Sequence, residues 1–115
     1  MKMADIKYFL IVLASAIFVS NGAQAGGTAY GVTVTGLTPV ESGAFIAYIS
    51  TTIAGGPACA TITTRIAADP NTAGGRAVIA VLMMAYPTGK TFDFTGNGSC
   101  NVWGDTETVQ WLNTH

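Results

Sequence analysis

The chain has 115 residues, of which 50% are hydrophobic and 10% are charged, and its formal net charge is −1. With five Lys and Arg residues in all, it lacks the basic patch that phosphate-driven nucleic-acid binding needs, so we expect no nucleic-acid partner. Because charge is so scarce, Thr, Ser, Asn and Gly must supply much of the wetted surface, as is common in secreted β-domains.

Residues 1–25 have the three parts of a secretory signal peptide. Lys2 and Lys7 supply positive charge, Tyr8–Val19 is an apolar run, and residues 23–25 (Ala-Gln-Ala) form a small-x-small cleavage site. An uncleaved membrane anchor is the alternative, but the apolar run is much shorter than the about 20 residues needed to span a bilayer.

Cleavage after residue 25 would leave one domain, residues 26–115, beginning at Gly26. That domain keeps three basic and five acidic residues, a net charge of about −2 by simple counting at neutral pH. We therefore expect an exported protein, periplasmic or secreted, with no membrane span after signal cleavage.

Three strands are predicted before the helix. Tyr30–Thr35 alternates Val with Thr, the period-two pattern of a strand with one buried face. Ala44–Thr51 is apolar on both faces, which favours a central strand or one covered by a partner, and Cys59–Ile66 alternates again. Gly36–Gly43, rich in turn residues, is predicted to be the loop between the first two strands.

The segment Asp69–Gly89 is predicted to be the one helix. Asp69 can cap its start and Pro70 suits the first helical position, while Pro87 and Gly89 are expected to end it. A single apolar stripe is expected from residues spaced by one, three and four: Ala77, Val78, Val81, Met84 and Ala85.

Two more strands are predicted after the helix. Lys90–Thr95 places Phe92 and Phe94 on one face, and Glu107–Leu112 places Val109 and Trp111 on one face, with Trp111 expected in the core. The order β-β-β-α-β-β is that of the oligonucleotide/oligosaccharide-binding fold. The predicted fold class is thus mainly β with one helix, a five-stranded OB-like Greek-key barrel; the alternative is a small α+β sheet with one helix packed on it.

Both cysteines, Cys59 and Cys100, lie in the predicted mature domain. An exported chain enters an oxidising compartment, which favours a disulfide between them. A metal site and a redox pair are the alternatives. No His stands near either cysteine in the sequence, and the two are not spaced as Cys-x-x-Cys, so a structural disulfide is the better interpretation.

Patterns that suggest catalysis are weak, and we predict a non-enzyme with no catalytic residue, no metal and no cofactor. Pro87–Thr91 ends like a phosphate-binding loop but lacks the required upstream glycine. His115 is the last residue, where a rigid catalytic base is not expected. Asp105 and Glu107 can share one face of a strand, but a solvated strand edge explains them more simply.

Trp103, Asp105 and Thr106 are the candidate ligand-binding residues. An indole face beside carboxylate and hydroxyl groups suits sugar recognition, because the flat ring stacks on the ligand and the polar groups bond its hydroxyls. The alternative is that Trp103 closes one end of the core and Asp105 caps a turn.

The segment A-Y-P-T-G-K-T-F-D-F-T-G-N-G-S-C-N-V-W-G-D-T-E-T-V, residues 85–109, resembles a group of small exported bacterial proteins. With the signal peptide, strand order and cysteine pair, it makes the chain similar to the B subunit of subtilase cytotoxin, an AB-type toxin. The likeness covers about residues 58–112 and is most specific over Gly96–Val109. It implies the barrel, the disulfide, a homo-pentamer, and, as partners, a cell-surface glycan and a separate toxin A chain; it transfers no binding residue.

Two functional hypotheses follow. The first is an exported, non-enzymatic binding module, most concretely a glycan-binding homo-oligomer resembling a toxin B subunit. The second is a structural or accessory envelope protein, or an inhibitor of another protein, without a small-molecule site.

Overall fold

The structure is a computed structural model, and it describes residues 26–115. The predicted signal peptide, residues 1–25, lies outside the described residues. In chain order the elements are β1 (Thr28–Val32), β2 (Val34–Val40), β3 (Ala44–Ile49), β4 (Arg65–Ala68), α1 (Ala73–Thr88), β5 (Phe92–Gly96) and β6 (Val109–Thr114). The strands form two three-stranded antiparallel sheets, β1-β5-β6 and β2-β3-β4. The protein is mainly β with one helix, as the sequence predicts.

The predicted five-stranded OB-like barrel is wrong in strand number, and no closed barrel forms within the described residues. Residues 26–115 contain six strands, and their pairing closes neither sheet onto the other. The sheets approach each other at an isolated parallel bridge between Ala67 and Thr108, where the Ala67 N–H donates to the Glu107 carbonyl oxygen at 3.0 Å. This bridge stays isolated and does not extend into a ladder.

The predicted first strand divides at Thr33 between the two sheets. β1 pairs with β5, and β2 pairs with β3. Ser50 bonds the backbone of Thr33 at the division: its hydroxyl accepts from the Thr33 N–H, and its N–H donates to the Thr33 carbonyl, both at 3.0 Å. The predicted loop Gly36–Gly43 is mostly strand, since β2 continues to Val40 and tolerates Pro39 because it is an edge strand.

The predicted third strand, Cys59–Ile66, is mostly a loop, and only its last two residues belong to β4. Although its sequence alternates, this segment does not pair with a single neighbouring strand. Ile62 N–H donates to the Asp105 carbonyl oxygen, while the carbonyls of Thr63 and Thr64 accept from Ile53 and Ile49. The backbone polar groups are therefore satisfied by three separate partners, which is enough to order a segment without making it a strand.

Helix α1 starts three residues later than predicted. Thr72 is the N-cap, with its hydroxyl oxygen accepting from the Gly75 N–H at 2.8 Å, whereas Asp69 accepts from the Asn71 N–H one turn earlier. The predicted exit at Gly89 is confirmed: Gly89 has φ 69° and donates its N–H to the Ala85 carbonyl. Pro87 lies inside the last turn rather than ending the helix.

The buried face of α1 is rotated from the predicted stripe. Leu82 and Ala85 are fully buried, with Val78 and Ile79 packed against the core, but Met84 is 44% exposed. The helix contacts β2, β4 and β6, so it covers parts of both sheets. Across residues 26–115, no helix combines the length and apolar character required to cross a membrane.

The sheets and helix enclose one main core, to which Phe92 and Phe94 contribute as predicted. Trp111, predicted to be in the core, is 54% exposed. The β5–β6 register shifts between Thr95 and Gly96, so that Val109 and Leu112, three residues apart, both pack inward. A regular alternation would have brought Trp111 inward with Val109, and the irregularity prevents this.

Candidate functional site

A disulfide fixes the loop that contains the candidate ligand-binding residues. Cys59 and Cys100 are bonded, with their Cα atoms 6.2 Å apart, a separation ordinary for a disulfide, and 41 residues apart in sequence. The predicted disulfide is therefore confirmed. It attaches the segment after β5 to the irregular segment before β4, so residues 100–106 lie over the outer face of the β2-β3-β4 sheet.

Trp103 lies against that outer face. It is half-buried and packs with Val102 and Tyr48 on a small second core made of Ala44, Ile46 and Ala67. Strand β3 is thus apolar on both faces, as its sequence indicates, but the chain itself covers the second face. Much of the indole therefore contacts protein rather than solvent, on the outer face of a sheet and not at an end of the main core.

Asp105 belongs to a half-exposed polar group centred on Arg65. The Arg65 Nη2 donates to Asp105 Oδ1 at 2.6 Å, its Nε donates to the Thr106 hydroxyl at 2.8 Å, and its Nη1 donates to the Tyr48 hydroxyl at 3.3 Å. The hydrogen bonds from Arg65 and Thr106 hold the pKa of the Asp105 carboxyl below its usual range.

We call this set of residues the Arg65 cluster: Tyr48, Arg65, Asp105 and Thr106. Its members differ in solvent exposure. The Asp105 side chain is 45% exposed, so a ligand can reach it. Thr106 is fully buried, and its hydroxyl also donates to Asp105 Oδ1 at 3.0 Å. Its position suits it to orient Arg65 and Asp105 rather than to touch a ligand.

Glu107, two residues further along, is fully buried. Its carboxylate accepts from the Gly27 N–H, at 3.1 Å to Oε1 and 3.0 Å to Oε2, and from the Gly98 N–H at 2.9 Å. Each of these partners is a backbone donor, so both carboxyl oxygens act as acceptors. Within residues 26–115, Arg65 forms an ion pair with Asp105 and the His115 ring contacts Asp93, and neither interaction includes Glu107.

Glycines surround this carboxylate because it leaves no room for side chains. A Cβ added at Gly27 would lie 2.8 Å from Oε1, one at Gly56 would lie 2.7 Å from it, and one at Gly96 would overlap the carboxyl group itself. The sequence analysis missed this site because each glycine pair looks like a turn signal on its own. No local signal singles out Glu107, because Glu41 and Asp105 also lack a basic neighbour in the sequence and the glycines converge on Glu107 only in the folded chain.

A separate cleft of about 270 Å³ lies between the start of α1 and the loop that precedes β6. Its polar lining comes from Asp69, Thr72, Asn97, Asn101, Thr108 and Gln110. Apolar atoms of Ala68, Val78, Val102 and Val109 line it as well. No sequence pattern indicates this cleft, because its walls come from two separate segments, residues 68–78 and 97–110, that meet only in the folded chain.

One wall of the cleft is held by hydrogen bonds among side chains. Asn101 Oδ1 accepts from the Ser99 and Thr108 hydroxyls, both at 2.8 Å. These bonds fix the plane of the Asn101 amide. Gln110, on the neighbouring wall, is exposed at the second position of β6.

Within residues 26–115, no three His, Cys, Asp or Glu side chains cluster closely enough to hold a metal ion. Comparison with known proteins finds no family model that matches this chain and no curated protein with significant sequence similarity. The function must therefore be argued from the surfaces described above.

Proposed function

We propose that the protein is an exported, non-enzymatic binding module that recognises a sugar unit of a glycan. The observation that carries this proposal is the cleft beside the start of α1, where amide, hydroxyl and carboxylate groups surround an apolar lining. The likeness to a toxin B subunit stays a prediction, and it agrees with this function.

The chemistry of the cleft suits a hydroxylated ring. Sugar hydroxyls both donate and accept, and the side chains of Asn101, Gln110 and Asp69 offer planar groups of both kinds. The C–H faces of a sugar need apolar contact, which Val78 and Val102 supply. A volume of about 270 Å³ is at the small end of ligand pockets, which suits one ring rather than a long chain.

The Arg65 cluster is a second place where a charged sugar can bind. Arg65 and the exposed carboxylate of Asp105 lie beside Trp103, the residue that the sequence indicates for stacking. However, three donors of Arg65 are already bonded to Tyr48, Asp105 and Thr106. The cleft is favoured because its exposed amides do not have to give up an ion pair when a ligand binds.

Exposed apolar side chains support the proposed homo-oligomer. Tyr30 is 71% exposed on β1, Trp111 is 54% exposed on β6, and Met83 is 55% exposed on α1. Strands β1 and β6 are the two edges of one sheet. Large exposed apolar residues on a domain with so few charges favour association. Sedimentation of the chain beginning at Gly26 tests this, and a monomer at high micromolar concentration contradicts it.

A glycan array followed by NMR titration with the best-bound monosaccharide tests the sugar proposal. We expect shifts of the Asn101 and Gln110 side-chain amides. Replacing Gln110 with Ala should weaken binding about three-fold or more, the effect of losing one hydrogen bond. Asn113→Ala is the matched control, because Asn113 is exposed on the same strand and does not line the cleft.

The outcomes separate the candidate functions. If Gln110→Ala and Asn113→Ala bind the sugar equally well and Asp105→Asn loses binding, the sugar site would be the Arg65 cluster and not the cleft. If the wild-type protein binds no glycan on the array and captures a specific envelope protein, the structural or inhibitory hypothesis would be favoured instead.

A further inference from the structure

Glu107 presents a problem of charge balance that the described chain leaves unsolved. Its carboxylate is fully buried and bonded to backbone N–H groups of Gly27 and Gly98. Hydrogen bonds lower the cost of burying an ion, but a buried carboxylate is normally also paired with a positive charge. None of the three basic side chains in residues 26–115 lies in an ion pair with Glu107.

Gly26, the first residue of the predicted mature chain, also lies near this carboxylate. A Cβ built on Gly26 would lie 3.3 Å from Glu107 Oε2 and in direct overlap with the Gly96 carbonyl oxygen. The overlap excludes a side chain at position 26, and the 3.3 Å distance shows that the Gly26 Cα lies near the carboxylate. The amino nitrogen is bonded to that Cα, and the next residue, Gly27, donates its N–H to the same carboxylate, so the Gly26 nitrogen lies in the same neighbourhood.

We propose that signal-peptide cleavage creates the missing cation: the new α-ammonium of Gly26 binds the buried carboxylate of Glu107 and completes its site. The proposal rests on the predicted cleavage after Ala25 and does not depend on the ligand. Before cleavage the same nitrogen is a neutral amide, and it becomes an ammonium with three donors when the peptide bond is hydrolysed. Folding stability is thus gained at the moment of export, and the precursor remains easier to unfold.

The surroundings of Glu107 explain why a terminal ammonium fits where a side chain does not. Gly27, Gly56 and Gly96 approach the carboxylate too closely for any Cβ. A Lys or Arg entering this space would need a gap that the glycine backbone does not leave, whereas the chain terminus is already attached at Gly26. Of the other acidic groups, Asp105 is bonded to Arg65 and Asp93 lies beside His115, so neither competes for this ammonium.

The test compares three amino termini of the otherwise identical domain: a free Gly26, an N-acetylated Gly26, and a chain with Ala25 retained. Each is made with Glu107 and with Glu107→Gln, and unfolding is followed in urea. With Glu107, we expect acetylation to lower the folding equilibrium constant about ten-fold, or roughly 1.4 kcal/mol. The Ala25-retaining chain should lose a similar factor, because its charge is displaced by one residue. In the Glu107→Gln series both factors should fall below about two-fold, because the neutral amide no longer attracts the ammonium.

A second measurement reports the ion pair directly. NMR titration of the Gly26 α-amino group should give a pKa above the ordinary range of about 7.7–8.0 for a chain terminus, because a nearby carboxylate favours the charged form. The stability gained from the free terminus should then be complete below that ordinary range and disappear as pH rises through the folded-state value. If Glu107→Gln does not fold, this titration and the acetylation comparison decide the question. An α-amino pKa within or below the ordinary range, or equal losses in both series, would overturn the proposal.

Discussion

Asp105 and Glu107 are two carboxylates two residues apart that meet opposite environments. Asp105 is 45% exposed and paired with the Arg65 guanidinium, whereas Glu107 is fully buried and bonded to backbone N–H groups. A half-exposed ion pair contributes little to stability because water competes for both partners. A buried acceptor that satisfies buried donors contributes far more, because those donors have no alternative partner. We therefore infer that Glu107 stabilises the fold and that Asp105 is accessible to a ligand.

The disulfide offers the largest expected effect. Replacing both Cys59 and Cys100 with Ser should lower the free energy of unfolding by about 4 kcal/mol, since the loop-entropy model assigns that amount to a closed loop of this length. Urea denaturation measures the loss.

Hydrogen exchange in the same variant sharpens the comparison. The Ile62 N–H, which donates to the Asp105 carbonyl, should exchange faster relative to the Gly27 N–H, which donates to Glu107. The disulfide anchors the segment before β4 directly, whereas Gly27 is held in place by the adjacent strand β1, which pairs with β5. Equal acceleration at both amides would show that the two regions open as one unit.

Glu107→Ala should lower the free energy of unfolding by about 3 kcal/mol or more, because it leaves the buried N–H of Gly27 and the partly buried N–H of Gly98 without an acceptor. Asp105→Ala is the matched control and should change the free energy of unfolding far less. Both are measured by urea denaturation. Similar losses in the two variants would remove the distinction on which the comparison depends.

Gly56→Ala should destabilise the protein by about 1–3 kcal/mol, because the added methyl would lie 2.7 Å from Glu107 Oε1 and the well-held carboxylate has little room to move. Gly74→Ala provides a control of opposite sign. Its Cβ meets no atom within 4 Å, and alanine favours the helix by up to about 1 kcal/mol. Thermal unfolding should therefore shift down for the first variant and up for the second.

The smallest effect concerns the pH dependence of Asp105. Because its pKa is lower in the folded chain than its usual value, its ion pair contributes stability above about pH 4, the ordinary range of an Asp carboxyl. That contribution is lost as pH falls through the lower folded-state pKa. NMR titration of the carboxyl in the wild type and in Arg65→Met measures the effect. An unchanged titration in Arg65→Met would show that Arg65 does not cause the shift.

Local sequence patterns predicted the features that depend on regular alternation towards the core or on one residue's own backbone preference. Phe92 and Phe94 are buried on β5, and Gly89 ends the helix with positive φ. The same patterns failed where irregular pairing decides orientation. Cys59–Ile66 alternates but bonds to three segments, and Trp111 faces solvent because the β5–β6 register shifts beside it.

The candidate sites show the same division. Cys59 and Cys100 were predicted to pair from compartment and number alone, and they do. Nothing local distinguishes Glu107 from the Asp105 beside it, since both stand among Thr and Gly residues. Their difference arises because Gly27, Gly56 and Gly96 converge on Glu107 from three distant segments.

The sequence by itself determined the class of protein: mainly β, one helix and one disulfide, because these follow from side-chain period, capping residues and the number of cysteines. Only the tertiary structure decided that the sheets stay open, that Trp103 covers the second face of β3, and that a cleft forms beside α1. Those outcomes depend on which backbone groups, distant in sequence, come together in the fold. The hydrophobic effect is non-directional, so it does not specify these pairings.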